Sequence, residues 1–174
     1  LTRMEIGYYK GSESLKTMAN SILIAHRGNI NGPDSSRENQ SDYVEAALQS
    51  GFDVEVDIWS ERNELFLGHD GPLYPVNLDW LTEREEKLWV HCKNLAALET
   101  LLGTSLNYFY HQSDPYTLTS HGYVWAYPGQ TLPKLRAVSL WFKPEDPRTV
   151  ETTNHVHAIC GDYVANWAGN SKFS

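Results

Sequence analysis

Gly51-Phe52-Asp53-Val54-Glu55-Val56-Asp57-Ile58-Trp59 is the stretch on which the fold turns. Side chains alternate faces along a strand, so Val54, Val56 and Ile58 form an apolar face and Glu55 and Asp57 share the other. Two carboxylates about 6 Å apart repel by roughly 3 kcal/mol at an effective dielectric near 20. A folded chain keeps such a pair when a cation or a shared proton relieves the repulsion. Oxygen ligands so closely spaced suit a hard divalent metal. Taken alone, the same residues also read as a half-exposed strand with a solvated acidic face.

Upstream, residues 21–25 form a continuous apolar run, as in a strand buried on both faces, ending in His26-Arg27-Gly28. Residues 29–38 are dense in Asn, Gly, Pro, Asp and Ser and predict a loop. Residues 41–51 predict a helix, capped by Asn39 or Ser41, with Val44, Ala47 and Leu48 as its apolar stripe and Gly51 as its stop. Strand, loop, helix and strand make a βαβ unit, so the two strands are expected to be parallel.

Downstream, Glu61-Arg62-Asn63 turns the chain into residues 64–67, a short strand followed by Gly68-His69-Asp70-Gly71. A short helix is expected over 78–86. A strand over 87–92 ends in His91-Cys92-Lys93-Asn94, and Asn94 caps a helix over 95–102. Further strands are expected at 107–110, 123–127, 137–142 and 157–160. His26, His69, His91 and His111 each stand near the C-terminal end of an apolar run, as Glu55 and Asp57 do. In a parallel barrel, ligands and catalytic groups gather at that end. A lone strand-end histidine is usually structural; four beside a carboxylate pair and Lys93 make a site.

At 174 residues the chain suits one domain. A full eight-stranded α/β barrel takes about 250 residues, so the expectation is a compact, trimmed TIM-type (β/α) barrel with shortened helices over residues 18–174. An open parallel sheet is the alternative. Residues 1–17 are expected to be an extension or an expression remnant. The net charge of -8 speaks against a nucleic-acid partner, which would demand a basic surface. No apolar run approaches a transmembrane span. Cys92 and Cys160 read as free thiols of a reducing, cytoplasmic compartment. Oligomeric state is not legible.

The chain resembles the glycerophosphodiester phosphodiesterases, within the superfamily of phosphatidylinositol phospholipase C-like barrels. The resemblance rests on Ile24-Ala25-His26-Arg27-Gly28, Glu38-Asn39, Glu45-Ala46-Ala47, residues 51–57 and Gly68-His69-Asp70, in that order. Segments such as His91-Cys92-Lys93-Asn94, Tyr110-His111-Gln112, Trp125-Ala126-Tyr127-Pro128-Gly129 and Cys160-Gly161-Asp162-Tyr163 are similar to a compact branch.

The resemblance implies cleavage of a small-molecule phosphodiester, of the kind met in lipid metabolism, with His26 and His69 as general acid and base. It implies that Glu55 and Asp57 hold a divalent cation, Mg²⁺ or Ca²⁺ first. Arg27, Lys93 and His111 would contact substrate, and Glu38 would position the first loop. The family places a third acidic ligand two residues before its lysine; here His91 stands there. Imidazole favours Zn²⁺ or Mn²⁺ over the harder ions, so His91 is a third candidate ligand. The chain also leaves little room between Asp70 and Val90 for the insertion typical of that family. A lyase that stops at a cyclic phosphate and a phosphate-binding barrel without turnover are the alternatives.

Overall fold

The computed structural model describes residues 21–147 and 156–168; the extension expected over residues 1–17 lies outside them. Among the described residues ten strands form one mixed sheet. Seven of them run parallel, in the order β6 (Asn107–Tyr110), β5 (Leu88–Cys92), β2 (Asp53–Glu61), β1 (Ile22–His26), β10 (Ala158–Gly161), β9 (Ala137–Trp141) and β8 (Val124–Ala126). The sheet curls on itself. Ser120 N donates to Tyr108 O at 2.8 Å, and the Phe109 ring on β6 stacks on Trp125 of β8 with centroids 4.5 Å apart. The result is a partial barrel with few helices.

Three strands break the parallel rule. β2 overshoots the barrel and turns at Arg62-Asn63, both at positive φ (52° and 65°), into antiparallel β3 (Glu64–Leu67). Two left-handed residues in a two-residue loop match the twist of the flanking strands, which is why this turn is tight. β4 (Tyr74–Val76) extends the hairpin, and β7 (Tyr116–Leu118) lies antiparallel to β8.

The helices are short. α1 (Ser41–Gln49) packs Val44 and Ala47 on the outer face of the sheet. Its N-cap position is Gln40, not Asn39 or Ser41 as expected, and no side chain caps it. Asn39 is fully buried and spends its amide on Asp57 instead. α2 (Leu78–Thr82) is half the length expected, because the residues after it close in turns, with Lys87 N and Leu88 N both bonded to Arg84 O. α3 (Leu95–Leu101) begins where Asn94 accepts from Ala97 N at 2.9 Å, as the sequence predicts. α4 (Val164–Ala168) closes the described chain.

Alternation sorts the side chains into two cores. Val54, Val56, Ile58, Val90 and Cys92 face outward under the helices, whereas Ile24, Trp89, Phe109, Trp125, Val138, Leu140 and Cys160 fill the inside of the curl. Both cysteines are buried and free. No helix among the described residues is long and apolar enough to cross a membrane.

Candidate active site

Above the inner core, the same parity brings polar residues to the C-terminal ends of the parallel strands. Register sets the levels: His26 pairs with Glu55 across β1–β2, and Asp57 pairs with His91 across β2–β5. Glu55 and Asp57 are 2% and 0% exposed. A fully solvated acidic strand is therefore excluded.

Asp57 is held from every side. Its Oδ2 lies 2.9 Å from Arg27 Nε and accepts from Asn39 Nδ2 at 3.0 Å; its own N–H donates to Asn39 Oδ1 at 2.9 Å. Oδ1 lies 3.1 Å from His91 Nδ1 and 3.2 Å from Lys93 Nζ. Burial alone would raise this carboxyl; the His91 hydrogen bond and the charges of Arg27 and Lys93 outweigh it and hold it well below the usual carboxylate range. Asp57 is an anion.

Glu55 is the reverse case. Burial, then the neighbouring Asp57 charge, push its carboxyl upward, and the charges of His26, His91 and Arg27 oppose them. Its nearest cationic atoms are His91 Nδ1 at 3.8 Å and His26 Nε2 at 4.0 Å. Oε2 is buried and accepts no hydrogen bond from the described residues. An orphaned carboxylate oxygen in a dry site costs several kcal/mol unless a cation or proton reaches it.

Ligand atoms of Glu55, Asp57 and His91 all lie within 4.8 Å of one another. Two carboxylates and an imidazole make a donor set that fits a divalent cation, and the unpartnered Glu55 oxygen is where such an ion would be missed most. The expected ligand trio is therefore brought together.

His26 is tied to a residue from the far end of the chain. Its Nδ1 lies 2.8 Å from Oδ1 of Asp162, just past β10, and Asn29 Nδ2 donates to the same oxygen at 2.9 Å. Burial works against a charge on His26, but the Asp162 bond and the Glu55 charge prevail, so the imidazole is raised above its ordinary value. Asp162 shares the parity of Ala158 and Cys160, which was the available signal. Gly161 makes that placement possible: a Cβ there would stand 1.9 Å from Trp141 O.

Arg27 sits at φ 54° with its guanidinium between Asp57 and Glu38, 3.0 Å from Glu38 Oε2. Its charge braces Asp57 and the first loop. Glu38 also accepts from Asn29 Nδ2, so the expected loop-positioning role has a geometric basis. Lys93 follows β5, and 17% of its side chain is exposed beside Asp57. His111 is 9% exposed, stacked on His91 with centroids 4.6 Å apart and planes 3° apart. Burial and the charges of His91 and Lys93 push its imidazole down to about 4, so it is neutral. Its Nδ1 has no hydrogen-bond partner among the described residues.

His69 reaches the neighbourhood by a different route from the other histidines. β3 runs antiparallel, so its end returns to the barrel mouth, where Gly68 N donates to Asp57 O and Gly68 O accepts from Trp59 Nε1. Gly68 has φ 148°, and a Cβ would stand 2.2 Å from Gly71 O, so the turn demands glycine. The His69 side chain is 41% exposed and pairs with Asp70 at 2.6 Å; the ion pairs that join the other site residues do not include it.

No family model matches the chain, and no curated protein does. Among solved structures it is similar to a glycerophosphodiester phosphodiesterase from Parabacteroides distasonis, with a TM-score of 0.50 and 16% identity over 83% of this chain and 93% of that one. At that identity the likeness concerns the fold.

Proposed function

We propose that the chain is a metal-dependent phosphodiesterase, resembling the glycerophosphodiester phosphodiesterases, that cleaves a P–O bond of a small-molecule substrate. The observation that carries this reading is the convergence of Glu55, Asp57 and His91 on one point, with His26 and Lys93 beside it, in a fold similar to a solved phosphodiesterase. A bound divalent ion supplies Lewis acidity at a non-bridging phosphate oxygen. Mn²⁺ or Zn²⁺ suits the imidazole, Mg²⁺ or Ca²⁺ the two carboxylates.

The chain's own groups do the rest. Lys93 and His111 bind the phosphate, Lys93 by charge and His111 as a neutral hydrogen-bonding group. Arg27 keeps Asp57 ionised and in place. His26, its imidazole raised above the ordinary value and oriented by Asp162, gives its proton to the departing alkoxide oxygen. His69 takes the proton of the attacking hydroxyl as the new P–O bond forms. If that hydroxyl belongs to the substrate the product is a cyclic phosphate, and release without hydrolysis makes the enzyme a lyase. His69 is half-exposed and paired with Asp70, and none of the ion pairs that join the other site residues includes it. That observation favours the second reading, a barrel that binds phosphate without turnover.

Hydrolysis of bis(p-nitrophenyl) phosphate tests the proposal. Turnover abolished by chelator, restored by one of Mg²⁺, Ca²⁺, Mn²⁺ or Zn²⁺, and lost in Glu55→Gln and His26→Ala supports it. Phosphate binding without turnover under any ion favours the binding reading.

A further inference from the structure

The mouth of the partial barrel is divided by polarity. Apart from the exposed His69–Asp70 pair after β3, the charged groups of the site described above come from β1, β2, β5 or β10, or from the turns that follow them. The strands opposite, β8 and β9, send Trp125, Val138 and Leu140 into the interior. Next along the same parity come Tyr127 and Phe142, at the top. Tyr127 meets His111 edge-on with centroids 5.1 Å apart, and Phe142 lies 5.0 Å from His26. Both rings touch site histidines and remain 38% and 41% exposed. The charged residue after Phe142 points away: Lys143 lies over Trp141, which packs against the outer core.

We infer that one ester arm of the phosphodiester is apolar and lies against Tyr127 and Phe142. The inference rests on the phosphodiesterase reading. A phosphate bound beside Lys93 and the carboxylates presents its two ester oxygens away from the metal ligands. An arm that extends toward β8 and β9 meets the rings of Tyr127 and Phe142. A polyol arm there gains nothing from ring carbon, whereas an aryl or alkyl arm removes apolar surface from water on both sides. Two aromatic rings, stiff in χ and half open, make such a surface at low entropic cost.

Phosphonates, whose P–C bond is not cleaved, test this by binding alone. Calorimetric titration of methylphosphonate, benzylphosphonate and hexylphosphonate into the Mn²⁺-loaded protein is expected to give a benzyl or hexyl Kd about tenfold below that of methyl. The benzyl and hexyl arms separate an aryl alcohol from an acyl-like chain. In the double variant Tyr127→Ala/Phe142→Ala the ratio is expected to fall below about threefold. Equal affinities in the wild type overturn the inference and leave the phosphate site standing. A preference that survives in the double variant also overturns it, because the arm then lies elsewhere. Failure of all three ligands to bind removes the phosphate-site reading together with the inference.

Discussion

Nδ1 of His26 and Oδ1 of Asp162 lie 2.8 Å apart, although 136 residues separate them in the chain. The pair joins the first strand of the sheet to the last. Because the bond occupies Nδ1, it leaves Nε2 as the atom that faces Glu55, 4.0 Å away. This contact orients the imidazole and, with the Glu55 charge, raises it above its ordinary value.

Asp162→Asn is expected to keep the geometry and lower the His26 value. As His26 acts as the acid, the alkaline limb of the pH–rate profile moves to lower pH, and activity at pH 8 falls by about tenfold to a hundredfold. A second readout follows from linkage. The folded value lies above the unfolded one, so the pair stabilises the fold below about pH 6.5, and that contribution is lost as pH rises through the folded value. Denaturant titrations above and below pH 6.5 are expected to show a smaller alkaline loss in Asp162→Asn. An unmoved rate profile would contradict the assignment.

His111 predicts the opposite pH dependence. Buried and neutral, it must charge when the chain unfolds in acid, so stability rises with pH between about 4 and 6.5. The contribution reaches about 3 kcal/mol at its lower end. His111→Phe preserves the stack on His91 and is expected to remove this part of the acid sensitivity, measured by urea unfolding at pH 4.5 and 7. An unchanged difference between the two pH values would show that His111 is not the group responsible.

Asn39 binds Asp57 through both its N–H and its carboxylate, from a backbone at φ 64°. Asn39→Ala leaves the buried Asp57 N–H without a partner and Oδ2 with Arg27 alone, and is expected to cost about 2–4 kcal/mol in chemical unfolding. A loss below about 1 kcal/mol, the ordinary range for a helix cap, would restore the capping role that its sequence position suggests.

Gly161→Ala would drive a Cβ into Trp141 O and the Trp167 ring, whereas at Gly71 nothing stands within 4 Å of that position. The first is expected to abolish folding or cost more than about 3 kcal/mol, the second less than about 1 kcal/mol. Thermal melts of the two variants side by side check the strand spacing that places Asp162.

What was legible in the sequence is what local alternation encodes. Glu55 and Asp57 share a face because the side-chain period of a strand is two, and His91 and Lys93 follow by the same rule. The parallel pairing of β1 and β2 follows from the βαβ connection. The contact of Asp162 with His26 was not legible because the two lie at opposite ends of the chain and only closure of the sheet through β10 joins them. Asn39 resembles a helix cap in sequence, and nothing local reveals that Asp57 claims it. β7 has three residues, exposed at both ends, and offers no apolar run to read. His69 was grouped with the parallel strand ends; it arrives at the mouth through an antiparallel hairpin, whose only sequence signal is the turn at Arg62-Asn63.

The most direct test of the account is titration of chelator-treated protein with Mn²⁺, followed by electron paramagnetic resonance. The account predicts one bound ion per chain, with binding lost in Glu55→Gln and weakened in His91→Phe. Undiminished binding in Glu55→Gln, or none in the wild type, would contradict the claim that Glu55, Asp57 and His91 hold a metal.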